Sequence, residues 1–183
     1  GDLVRSYLSS ELKVPFSVSR SYALPAYVNR HTLVVVSSYS GDTEETLSSY
    51  RDAIRRGAKV LCITTGGEVE RLAGKHGHPC IKVPPGLQPR AALGYSLFPL
   101  LVALSRLGFI KPQQRDIKET VGALKSRSLV YRNPQAPGNP PLEIAKRLHG
   151  RLPILYSASD HLDAVNVRWR GQISENAKQL AYG

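Results

Sequence analysis

Residues 31–38 read HTLVVVSS, a short, unbroken, largely β-branched run that ends on two serines. A run of this kind has no polar face to offer water, so it suits a strand covered on both sides of a parallel sheet. It passes directly into Tyr39-Ser40-Gly41-Asp42-Thr43, and then into a helical pattern over 43–56 that puts Leu47, Tyr50 and Ile54 on one face. Gly57 marks the end of that helix. The alternation continues with a strand over 59–64, a helix over 69–75 and a strand over 80–83. This order predicts an α/β fold, a doubly wound parallel sheet with right-handed crossovers and helices on both faces. A short amphipathic helix over 2–8 precedes it.

The segment 91–110, AALGYSLFPLLVALSRLGFI, is about long enough to span a bilayer. It contains Pro99, Arg106, two further serines and two glycines, so a buried helix of a soluble domain is the better reading, kinked at Pro99. Pro89 near its start and Gly108 near its end match the usual punctuation of a helix. A further helix is expected over 116–124. The run NPQAPGNPP over 133–141 reads as a linker. Beyond it come a helix over 142–148, a strand over 153–157 and a long final helix carrying Leu162, Val165, Trp169, Ile173, Ala177 and Leu180 at helical spacing. The expected organisation is one domain over 1–140, including the linker, and the opening of a second over 141–183, since so short a stretch holds only the start of an α/β unit.

The formal net charge is +11, from 25 Lys and Arg against 14 Asp and Glu. The basic residues are scattered, and the tightest pair is Arg55-Arg56, so the excess reads as a solvated surface, with no nucleic-acid and no membrane partner expected. Two cysteines, Cys62 and Cys80, provide neither a disulfide framework nor a four-cysteine zinc site, and the five histidines lack ligand spacing, so no metal site is expected. The lack of methionine and the first residue Gly1 suggest a chain trimmed from a longer one.

Four stretches carry chemistry. Ser38-Tyr39-Ser40-Gly41-Asp42-Thr43 lies where a buried strand turns into a helix, and a helix N-terminus with nearby hydroxyls suits a phosphate. The competing reading is a helix cap, because Asp42 and Glu45 have capping-box spacing. Thr64-Thr65-Gly66-Gly67 is the next strand-end loop of the same sheet and should fall near the first. Gln88-Pro89-Arg90-Ala91-Ala92-Leu93 places Arg90 at the start of the apolar helix, either to neutralise an oxyanion or as a surface residue. Gly171-Gln172-Ile173-Ser174-Glu175-Asn176-Ala177-Lys178 carries Glu175, a carboxylate able to take a proton from carbon beside a carbonyl, or a solvated helical glutamate.

Together, in this order, these motifs resemble the bifunctional phosphoglucose/phosphomannose isomerase family, which is built from two sugar isomerase (SIS) domains. Pro-Arg-Ala-Ala-Leu and Glu-Asn-Ala-Lys are the most telling of them. The resemblance implies a SIS-type sheet followed by the start of a second SIS domain. It also implies that Ser38, Ser40 and Thr43 bind the substrate phosphate, that Arg90 is the active-site arginine, and that Glu175 is the base moving a proton between C1 and C2 through a cis-enediol. The implied substrate is a hexose 6-phosphate, with no cofactor, and a homodimer is expected at full length. The lack of extracellular signals and of a disulfide framework points to a cytoplasmic protein. Ser174 departs from the family pattern, where asparagine is common. The family's Gly-Ser phosphate loop, its ring-opening histidine and a C-terminal lysine have no match here, so the 183 residues alone are expected to be inactive. The other reading of the motifs is a non-catalytic SIS regulator that senses sugar phosphates, although a sensor has no need of Glu175.

Overall fold

The computed structural model describes residues 1–159 and 161–183. The chain forms two compact units, one of Gly1 with Lys13–Leu104 and one of Asp2–Leu12 with Ser105–Gly183.

In the first unit, β1 (Leu33–Ser37), β2 (Lys59–Thr64) and β3 (Cys80–Lys82) form one parallel sheet in the order β1-β2-β3. The register pairs Val36 with Cys62 and Cys62 with Cys80. The crossovers are α2 (Glu44–Arg55) and α3 (Gly67–His76). Side chains alternate across a strand, so Val36, Val60 and Cys62 share a face. They pack with Leu47, Tyr50 and Ala53 of α2 and Val69, Leu72 and Ala73 of α3. Tyr50 is fully buried, and its hydroxyl lies 2.8 Å from Nδ1 of His78. Burial pushes the phenol up and the imidazole down, so both rings favour their neutral forms, and the bond between them satisfies the hydroxyl that Tyr50 buries in an apolar core.

A turn of 3₁₀ helix, Pro89–Ala91, leads into α4 (Leu93–Arg106). At about 1.5 Å per residue, α4 is roughly 21 Å long, well under the ~30 Å of a bilayer core. No helix among the described residues is long and apolar enough to cross a membrane. Leu100, Leu101, Ala103 and Leu104 are buried, and Pro99 stands inside the helix.

In the second unit, α1 (Asp2–Tyr7) packs against α7 (Asp163–Gln172), with Ser6 donating to Asp163 at 3.0 Å and Arg5 paired with the same carboxylate at 3.6 Å. Val4 and Leu8 are buried there.

Four sequence expectations change here. The helix expected over 116–124 is α5 (Gln114–Tyr131), longer at its C-terminal end because nothing after Leu124 breaks it before Asn133. The linker is no free tether. Its last two residues open α6 (Pro140–Leu148), and Asn139 is 2 % exposed. The Asn139 amide donates to the carbonyls of Val130, Tyr131 and Asn133 and accepts from Leu142 N–H, tying the end of α5 to the start of α6. The strand expected over 153–157 is a single parallel bridge between Ile154 and Tyr182, since a strand needs a ladder and Pro153 has no N–H to give one. The long final helix stops early. After α7 comes a π-helical turn, Ile173–Ala177, and Lys178 adopts a left-handed conformation that returns the chain toward the bridge. Its apolar stripe is not buried, and Trp169 is 48 % exposed. Its first four members, Leu162, Val165, Trp169 and Ile173, line a groove of about 400 Å³ with Ile144, Leu148 and Ile154.

Candidate functional site at the strand ends

The C-terminal ends of β1 and β2 carry two loops that lock together. Tyr39 O accepts from Thr65 N–H at 3.1 Å and from the Thr65 hydroxyl at 2.7 Å, and Gly41 O accepts from Val69 N–H at 3.0 Å. Gly41 has φ +84°, and a Cβ there would collide with the Gly66 carbonyl. Gly67 has φ +69°, and a Cβ would sit 2.7 Å from Ser40 O. Two backbones approach this closely only where both lack side chains. The Gly-Gly loop thus lies against the serine-rich loop, as the sequence predicts.

Within the first loop, the hydroxyls of Ser38 and Thr43 lie 3.0 Å apart, and Gly41 N–H donates to Ser38 Oγ at 3.1 Å. Ser38 is buried and Ser40 exposed, and the Ser40 hydroxyl accepts from Asp42 N–H at 3.3 Å.

Thr43 is the N-cap of α2, yet its side chain makes no cap bond. A threonine at this position ordinarily accepts from an amide two or three residues on. Here its hydroxyl is turned to Ser38, so the first-turn amides of α2 keep no side-chain acceptor from the cap. The capping box of Asp42 with Glu45 does not form. Asp42 reaches the neighbouring helix instead, where Oδ1 accepts from Glu68 N–H at 2.8 Å. The one carboxylate inside the loop therefore serves the positive end of α3 and not that of α2, whose first turn carries Glu44 and Glu45. Glu44 Oε2 lies 3.5 Å from the Tyr22 hydroxyl.

Arg90 sits on the exposed 3₁₀ turn that follows the loop after β3. Glu175 sits in the π-helical turn of the other compact unit and is exposed. The structure thus joins Ser38 directly to Thr43, with Ser40 in the same loop, and carries Arg90 on a turn of the same unit. Among the described residues, no group of three or more His, Cys, Asp or Glu side chains is arranged to hold a metal ion. Sequence reasoning did not foresee the reach of Asp42 to α3, because the donor, Glu68 N–H, lies 26 residues away. Nor did it single out Tyr39, whose only signal is its place between Ser38 and Ser40.

A parallel sheet flanked by helices, with a serine- and threonine-rich strand-end loop at a helix start, is the SIS type of α/β protein. The family model described as "Bacterial phospho-glucose isomerase C-terminal SIS domain" matches residues 138–183. A bifunctional phosphoglucose/phosphomannose isomerase of Caldicellulosiruptor bescii is 47 % identical, over 100 % of this chain and 54 % of its own length. One of the same name from Aquifex aeolicus is 40 % identical, over 92 % of this chain and 48 % of its own. A D-glucosamine-6-phosphate 4-epimerase of Sulfolobus acidocaldarius is 31 % identical, over 94 % and 52 %. The chain belongs to the family of the bifunctional phosphoglucose/phosphomannose isomerases. It spans about half the length of the curated relatives it matches.

Proposed function

We propose that this chain is part of an aldose–ketose isomerase acting on hexose 6-phosphates, interconverting fructose 6-phosphate with glucose 6-phosphate and mannose 6-phosphate. The observation that carries the reading is the divided labour of the first loop: Asp42 caps α3, Thr43 turns to Ser38, and the start of α2 keeps its amides and three hydroxyls for an anion. A phosphate bound by Ser38, Ser40 and Thr43 leaves the sugar carbons free to react. In the proposed reaction the Glu175 carboxylate takes the proton from C1 or C2. The electron pair moves onto the carbonyl oxygen to give a cis-enediolate, and Arg90 offsets the charge that builds there. The hydroxyl proton passes from the one oxygen to the other, and return of the carbon-bound proton from Glu175 to the other carbon completes the exchange, so the oxidation at one carbon is matched by the reduction at its neighbour. The domain division proposed with it is a first SIS domain over 1–140 and the beginning of a second over 141–183.

The test follows fructose 6-phosphate by NMR with protein from the complete reading frame, wild type beside Glu175→Gln. Glucose 6-phosphate and mannose 6-phosphate are expected from the wild type, with turnover down by about 10²–10⁴-fold in the variant. No product from the wild type overturns the isomerase reading. The name of the Sulfolobus relative supplies the next substrate to try, glucosamine 6-phosphate.

A further inference from the structure

Tyr39 touches the chain on both sides of Arg90. Its hydroxyl donates to Pro84 O at 2.9 Å and accepts from Leu87 N–H at 3.1 Å, three residues before the arginine. Its ring stacks on Tyr95, five residues after it, with centroids 6.5 Å apart and planes 6° from parallel. Its carbonyl is held by both donors of Thr65. One side chain, rooted between Ser38 and Ser40, therefore grips the segment before the 3₁₀ turn and the first turn of α4 after it. The gripped segment includes Gly86 at φ +99°, and residues 84–91 are all exposed, so little packing holds this stretch in place.

We propose that Tyr39 is a positioning residue that fixes Arg90 relative to the phosphate loop. The proposal rests on the reading of Arg90 and of that loop given above. Neither the phenol nor its bonds need touch the substrate. They set where the guanidinium stands once the phosphate is anchored, which matters because a charge-stabilising group loses its effect when it is displaced by about an ångström.

Tyr39→Phe keeps the ring stack and removes both hydroxyl bonds. In the full-length protein, the rate of amide hydrogen exchange over residues 86–92 is expected to rise about tenfold, and kcat on fructose 6-phosphate to fall by a similar factor. Inhibition by inorganic phosphate should stay within about twofold of wild type. In an Arg90→Ala background the same substitution should lower kcat no further, because its effect passes through the arginine. Unchanged exchange over 86–92 overturns the proposal, as does an equal loss of phosphate affinity or a full additional loss of kcat without Arg90. If the wild type shows no turnover, the isomerase reading fails, and the exchange data alone decide whether Tyr39 holds the turn.

Discussion

Asp52 is buried on α2 among cations and an amide. Arg56 pairs with it at 2.7 Å and Arg55 at 2.5 Å, and Leu24 N–H donates to it at 3.2 Å. Arg56 also donates to the carbonyls of Pro25 and Leu24, so the pair fastens an irregular segment to the helix. The hydrogen bond from Arg56, above all, holds the Asp52 carboxyl at about 2, with Arg55 and the Leu24 amide adding to it and burial working against them. An unfolded aspartate titrates near about 3.9. The native state therefore gains from the ionised form above about pH 4, and that gain is lost as pH falls toward about 2. Thermal melts of wild type and Asp52→Asn should differ at pH 6 and converge progressively between about pH 4 and pH 2. A gap that stays constant over this range would mean that the carboxylate's charge contributes nothing. The same scale shows how far one residue can be read locally. Asp42 has capping-box spacing with Glu45, yet the amide it satisfies belongs to Glu68, a pairing that exists only once β1 and β2 lie side by side.

Among the elements, α5 and α6 depend on the residue between them. Asn139 closes two orphaned helix ends at once: it accepts from Leu142 N–H at the start of α6 and donates to carbonyls at and just beyond the end of α5. Loss of an N-cap costs about 1 kcal/mol, and loss of the part-buried bonds to the carbonyls adds a similar amount. Asn139→Ala should therefore destabilise the second unit by about 2 kcal/mol, measured by urea unfolding, whereas Asn133→Ala should do much less. The proline- and glycine-rich composition of 133–141 was legible as a break between helices. That the break is stapled shut was not, because composition reports where a helix must stop and says nothing of which polar side chain the turn will bury. The strands and helices of the first unit were legible nearly to the residue, as at 59–64, where an apolar β-branched run is bounded by Gly57 and Gly66. The strand expected at 153–157 has the same local pattern, but a ladder requires a neighbour, and only Ile154 finds one.

For the whole molecule, the proposed function asks different things of the two units. The first carries the loop proposed to bind the phosphate, and the second carries Glu175. Substitutions in them should therefore separate in the kinetics of the full-length protein. Thr43→Val removes one hydroxyl from a charged ligand and should raise KM for fructose 6-phosphate about tenfold or more with a smaller change in kcat. Glu175→Gln should do the reverse. Equal effects of both substitutions on KM would argue that Glu175 only helps to bind.

Hydrophobic periodicity was enough to define the parallel α/β unit, since strand and helix periods are local properties of a few residues each. The motifs were likewise enough to suggest the family, and the 47 % identity with a relative over the whole of this chain, about half of that relative's length, supports it. Which helix end Asp42 serves and which tyrosine grips both sides of Arg90 were decided by packing. Each of these contacts joins residues that are dozens of positions apart in the chain and meet only when the sheet brings its strand ends together.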